Sequence, residues 1–497
     1  MMKGHFPDLF LSRRKFLGLG AGALATFGLG SSAHSTPFGS YFYEPEVRSS
    51  ANGFLSTTLR ASTVPTIVDG QAVLGAVYEG TFPGPTLRIR PGDFLRVELI
   101  NDLAEETNLH VHGLHVSPQS PGDNVLLHIP PGQRFVYEYT LPKNHPAGTY
   151  FYHPHRHMLA ANQTFKGMAG MIIIEGDIDQ IPGIAGLPER SLVLQRPTIA
   201  GGVIPDVQPN QPGAPPRPTQ ILVNGALTPI MFISPGETQR WRLLNATVSS
   251  LWNIAIEGHP MTLISQDGNT LAKAVTVGSV NIATAQRRDV LIQGGPPGVY
   301  QVLYQDNTQQ SPSPESGAIA YLVSTGPAMD PQPLPTTLLP FLDLRNVPID
   351  RQRSITFQIQ TPTGVPPTTF AGQGFVVCGQ DPMTCQPFDE NRIDQFIRLG
   401  ATEEWTINNA INPNSNGPTL IHPFHIHINP YQVTKINGQP YDALSYEDTT
   451  PVPLPQGNQN GSITFRTRFL DFPGAFVFHC HILGHEDGGM MSLVQVS

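Results

Sequence analysis

Near the end of the chain, the stretch HCHILGHEDGGMM, from His479 to Met491, sets a cysteine between two histidines. It adds His485 four residues on and ends in methionines. Thiolate, imidazole and thioether groups are metal donors, and no core strand needs them together. Successive side chains on an extended strand point to opposite faces. His479 and His481 therefore share one face and Cys480 takes the other, so this segment should touch two different metal centres. On the cysteine side, a thiolate with two imidazoles and a weak axial methionine makes a blue-copper electron-transfer site. Cys480, His485 and Met490 supply three of those four donors, and His422 is the candidate for the fourth.

Three more clusters carry the same spacing: His110-Val-His112, His153-Pro-His155 and His422-Pro-Phe-His425-Ile-His427. With His422, Cys480 and His485 assigned to the cysteine side, eight histidines remain: His110, His112, His153, His155, His425, His427, His479 and His481. Eight imidazoles are too many for one metal and suit about three. They come from the first and last thirds of the chain, so the cluster should lie where those parts meet. The middle third, from 185 to 335, has only His259. Zinc is the rival metal, but it does no redox work, and this spacing is not that of a zinc finger. Two further cysteines, Cys378 and Cys385, would form a disulfide in an exported protein. The sharper alternative is a copper(I) site made by both thiolates with Met383.

What must position these residues is a repeated module. TLRIRPGDFLRVELIND recurs as MFISPGETQRWRLLNA and as FIRLGATEEWTINNA, each a strand, a glycine turn and a second alternating strand. A second signature follows each copy: PAGTYFYH, PPGVYQVLY and FPGAFVFHC. The 497 residues suit three domains of about 150. With 50 Pro and 48 Gly spread along the chain and no long helical periodicity, the fold class is all-β, as three tandem β-sandwich domains. These are placed at 40–180, 185–335 and 345–497. Residues 1–36 join Ser12-Arg13-Arg14-Lys15 to a short Gly/Ala-rich apolar run and small residues, the pattern of an export signal. That run is too short for a stable membrane anchor. A formal net charge of -9 without Lys/Arg runs argues against a nucleic-acid partner.

HVHG, HPH, HPFHIH and HCHILGHEDGGMM resemble the four copper-binding motifs of the multicopper oxidases, in the family's order. The resemblance extends over about residues 65 to 497 and is to bacterial three-domain, laccase-like enzymes built of cupredoxin-like Greek-key domains. It implies four copper ions: a type 1 copper on His422, Cys480 and His485 with Met490 axial, and a type 2 copper on His110 and His425. His112, His153, His155, His427, His479 and His481 would share a type 3 pair. Glu486 resembles the family's proton-relay acid and Asp123 a second one; the alternative for each is a hydrogen-bond partner of a copper-bound histidine. The paired arginines resemble a twin-arginine signal, which implies a periplasmic or otherwise exported protein.

The function implied is oxidation of a small reducing substrate, a phenol or aromatic amine, with dioxygen as acceptor; a monomer suffices. The alternative is a metallo-oxidase of copper(I), iron(II) or manganese(II), although the Met-rich insert of cuprous oxidases is missing. A non-enzymatic structural protein of this fold would have lost its ligands, and a blue-copper carrier leaves eight histidines unexplained. His157 reads as a supporting residue. His115, His128, His145 and His259 read as ordinary, and Met158, Met168 and Met171 as core packing.

Overall fold

Leu95, Val97 and Leu99 are fully buried along the strand Phe94–Asp102, while the residues between them are partly exposed. This period of two lets one face of a sheet enter a core. The computed structural model describes residues 40–207, 220–308, 315–360, 374–379, 384–410 and 420–497. The segment read as an export signal and Met383 lie outside the described residues.

Phe94–Asp102 belongs to a four-stranded sheet, packed on a five-stranded sheet that carries His110–His112 and Gly148–His153. Leu59, Leu99, Val111, Tyr137, Tyr152 and Ile172, from both sheets, share one core. A seven-stranded and a five-stranded sheet enclose a second core around Trp241, Trp252 and Leu322. A six-stranded and a five-stranded sheet enclose a third around Trp405, Phe465 and Phe478. The result is three cupredoxin-like β-sandwiches in tandem, with strands spanning Val47–Ile174, Glu189–Ser324 and Arg351–Val496.

The repeat signatures occupy equivalent places in the three sandwiches. Phe94–Asp102, Thr238–Asn245 and Thr402–Asn409 each pair in parallel with the strand that opens a sheet of their sandwich. The turns before them place Gly92, Gly236 and Gly400 at φ of 87°, 81° and 86°, a left-handed backbone that glycine adopts without strain. Only two short α-helices occur among the described residues, Ala160–Phe165 and Leu483–Asp487. No helix among them is long and apolar enough to cross a membrane.

Arg240 and Arg242 join the second sandwich to the first. Both are fully buried on Asp289; Arg242 also donates to Thr149 Oγ1 at 3.2 Å, and Arg240 to Asp179 at 2.6 Å. Cys378 and Cys385 form a disulfide. Both sulfurs are thereby used, which rules out the thiolate copper(I) site. Cys480 is the one free cysteine and is buried.

Candidate metal centre

The strand Gly474–Cys480 is buried along both faces. Phe476, Phe478 and Cys480 enter the third core, and His479 points the other way, toward the first sandwich. Its neighbour His422–Ile426 pairs with it so that Phe424 stands opposite Cys480 and His425 opposite His479. Phe424 and Ile426 lie in the same core, so His422, two residues before Phe424, falls on the cysteine's side. His425 and His427 fall on the other. In the first sandwich His110 stands opposite His153 across adjacent strands, while Val111 between the two histidines fills the core.

His422 Nδ1 lies 3.4 Å and His485 Nδ1 3.6 Å from Cys480 Sγ, and the two nitrogens are 3.2 Å apart. All three residues are buried. Met490 is fully buried, and its backbone is tied to both neighbours: Cys480 N–H donates to Met490 O at 3.1 Å, and Met490 N–H to His485 O at 2.9 Å. Phe375 stacks on the His485 ring at 4.6 Å. Burial pushes the Cys480 thiol far up, so a thiolate here needs a cation beside it, and burial holds His422 down at about 3. One sulfur and two neutral imidazoles in a buried pocket fit copper.

The other eight histidines meet between the first and third sandwiches, every one buried. The Nε2 atoms of His155, His427 and His479 converge at 3.1 to 3.3 Å. His110, His112 and His153 form a second group, and His110, His425 and His427 a third. His481 lies beside His112 and His153, with ring centroids at 5.0 and 5.3 Å. Three of the rings are oriented by what holds the outer nitrogen. Nδ1 of His110 faces Asp123 at 2.9 Å, Nδ1 of His153 faces Pro154 O at 2.9 Å, and Nδ1 of His425 faces Asp448 O at 2.8 Å. Their Nε2 atoms are buried without a hydrogen-bond partner in the protein. Buried polar atoms are rarely left so, and inward lone pairs are what metal ions bind. Burial, reinforced by neighbouring imidazoles, holds His110, His112, His425, His427 and His481 well below the usual range, in the neutral ligand form.

Two acids flank this cluster. Glu486 is fully buried on the short helix Leu483–Asp487, with its oxygens 3.0 Å from His479 Nδ1 and 3.5 Å from His155 Nδ1. Burial raises its carboxyl to about 7. Asp123 grips the His110 ring and accepts the Val111 N–H at 3.0 Å.

A third acid, Asp448, escapes sequence reasoning. Its Oδ1 lies 3.1 Å from His112 Nε2, and both oxygens accept from Arg287 of the second sandwich. That occupied carboxylate is a partner of the histidines rather than a metal ligand. No motif flags it. The only sequence hint was an Arg-Arg-Asp run heading an otherwise apolar strand, Arg287–Gln293.

Glu447, next to Asp448, carries a stability prediction. It is buried, accepts from Gln266 Nε2 at 3.1 Å and from Thr450 Oγ1 at 2.9 Å, and burial raises its carboxyl from 4.5 to about 7. Between those values the unfolded chain has lost this proton and the folded one keeps it. The contribution is therefore complete below pH 4.5 and lost as pH rises through 7. Glu447→Gln is expected to gain on wild type across that window, by at most roughly 3 kcal/mol. Urea midpoints at pH 5 and pH 8 check this, and parallel losses in both proteins would contradict it.

The remaining histidines among the described residues hold structure. His115 bridges Ile428 O and Asp471, His145 accepts the His115 N–H, His259 accepts the Gly295 N–H, and His157 packs edge-on against Phe388. His128 lies between Glu106 and Glu390. Met168 and Met171 are core residues, but Met158 is not. It is 71% exposed, in the turn between the strand Gly148–His153 and the helix Ala160–Phe165, where its φ is 68°.

Three models of the multicopper oxidase family match residues 61–178, 204–328 and 353–497, and the chain belongs to that family. It is 26% identical over 450 residues to a multicopper oxidase of Staphylococcus aureus, covering 90% of this chain and 89% of that protein. A laccase of Bacillus stratosphericus is 26% identical over 484 residues, covering 83% of this chain and 89% of its own. Among solved structures, a Campylobacter jejuni multicopper oxidase described as a metallo-oxidase superposes with a TM-score of 0.76. The identity is 25%, and the match covers 93% of this chain and 96% of that one. With its clustered histidines and buried cysteine, the protein is a copper-dependent oxidoreductase with dioxygen as acceptor.

Proposed function

We propose that the protein couples one-electron oxidation of a small donor, a phenol or an aromatic amine, to four-electron reduction of dioxygen to water. The observation that carries this reading is one strand end, His479-Cys480-His481, which gives a thiol to one donor set and imidazoles to the other. In this reading His422, Cys480, His485 and Met490 would hold a type 1 copper, and His110 and His425 would hold a type 2 copper. His112, His153, His155, His427, His479 and His481 would share a type 3 pair, making four copper ions. Bound copper would supply reversible one-electron chemistry and a place for dioxygen.

The chain's own residues connect, exclude and deliver. The backbone from Cys480 to its two neighbours is a covalent path between the donor sets. Burial of every donor keeps bulk water out. Glu486, within reach of two ring nitrogens, hands protons toward the cluster, and Asp123 orients His110 and serves as the second acid. The domains are placed at 40–180, 185–335 and 345–497, a reading supported by strands that span Val47–Ile174, Glu189–Ser324 and Arg351–Val496. The paired Arg13 and Arg14 before an apolar run support export by a twin-arginine signal.

Oxygen uptake by copper-loaded protein, with a simple phenol, copper(I) and iron(II) at matched concentration, tests the donor class. The phenol is expected to be consumed fastest. A faster metal ion would establish a metallo-oxidase instead, a reading favoured by the likeness to the Campylobacter jejuni structure. No uptake with any donor would overturn both.

A further inference from the structure

The second sandwich contributes none of the cluster's ligands, yet it sends one side chain to the cluster's edge. Arg287 heads the strand Arg287–Gln293 and is completely buried. Its Nη1 donates to Asp448 Oδ1 at 2.9 Å and to Ala285 O at 2.8 Å, and its Nη2 donates to Asp448 Oδ2. Its Nε donates to Thr149 O of the first sandwich at 3.1 Å. A planar guanidinium held at both ends fixes the plane of the carboxylate it grips. Thr449 Oγ1 also donates to Asp448 Oδ1, at 2.9 Å.

Asp448 then acts on two histidines. Its backbone oxygen accepts from His425 Nδ1 at 2.8 Å, and its Oδ1 accepts from His112 Nε2 at 3.1 Å. The second bond is the unusual one. His110, His153 and His425 are held at Nδ1 and turn Nε2 inward, whereas His112 is held at Nε2, and its Nδ1 is the nitrogen without a partner. That reversed ring needs an acceptor on its far side, and Asp448 is that acceptor. Gly113 gives independent support. A Cβ there, at φ of 84°, would run into Asp448 Oδ2 and come within 2.6 Å of Arg287 Nη2. The glycine after His112 leaves room for this ion pair.

We propose that Arg287 is a positioning residue for the copper cluster, through which the ligand-free middle sandwich fixes Asp448 and so the orientation of His112 and His425. The inference rests on the copper assignment above. A purely structural role, a weld between sandwiches, is the rival. Arg240 supplies its control, since it is equally buried but bound to Asp179 and Asp289, away from the histidines.

The experiment compares copper-loaded wild type with Arg287→Met, Arg287→Lys and Arg240→Met. It reads copper retained against a chelator, the electron paramagnetic resonance spectrum of the resting protein, and the blue absorption. Arg287→Met is expected to lose cluster copper about 10- to 100-fold more readily. Its cluster spectrum should be altered while the blue absorption stays. Arg287→Lys keeps the charge but not the two-pronged grip, and should show the same spectral change in smaller degree; it decides the matter if the methionine variant does not fold. Arg240→Met should lower the melting temperature and leave the spectrum alone. Wild-type retention and spectrum in the Arg287 variants would overturn the inference while leaving the copper assignment standing. Wild-type protein that takes up only blue copper would overturn both.

Discussion

Cys480→Ser is expected to abolish the blue colour and to lower donor oxidation by more than about 100-fold, while copper stays at the histidine cluster. Loss of residues that only support a ligand costs 10- to 100-fold, and loss of the sole thiolate costs more. Cys480 is fully buried between His422 and His485, and no other free cysteine exists to replace it. A serine hydroxyl is harder than a thiolate and stays protonated in that apolar pocket. The eight histidines lie on the other side of the same strand and keep their partners. Copper content should therefore fall by one ion. Visible spectra, copper analysis and oxygen uptake on one preparation check this, and a variant with full turnover would dismiss the thiol as the donor's entry point.

The second large effect is expected at Glu486. Making two waters from dioxygen takes four protons, and a buried cluster needs a group to bring them. Both Glu486 oxygens are buried, with no partner other than the two histidine rings at 3.0 and 3.5 Å. Glu486→Gln keeps the shape but cannot release a proton at neutral pH. Oxygen turnover should fall about 100-fold, at the lower end of what general acids contribute. Anaerobic reduction of the blue site by the donor should proceed at the wild-type rate, since that step consumes no proton here. Glu486→Asp should recover part of the loss. If Glu486→Gln kept full turnover at every pH, the carboxylate would be only a tether for His155 and His479.

Spacing alone made much of this arrangement legible. His-x-His puts two rings on one strand face, and His-Cys-His splits a thiol from its neighbours, because the alternation of a strand is local and survives any packing. The glycine turns at Gly92, Gly236 and Gly400 marked the repeated sandwich for the same reason. What stayed hidden depends on contacts distant in sequence. Arg287 and Asp448 are 161 residues apart, and each looks like an ordinary charge until three sandwiches meet around it. The helix Leu483–Asp487 was too short to show a period, and the exposure of Met158 follows from a single backbone turn.

The strand that ends in His479-Cys480-His481 also works as a partition. Whatever surrounds His422 and His485 can change to suit a new electron source, and no ring on the other face has to move. Substitutions around the thiol are thus expected to change which donor is accepted, while the face that handles oxygen keeps its eight rings.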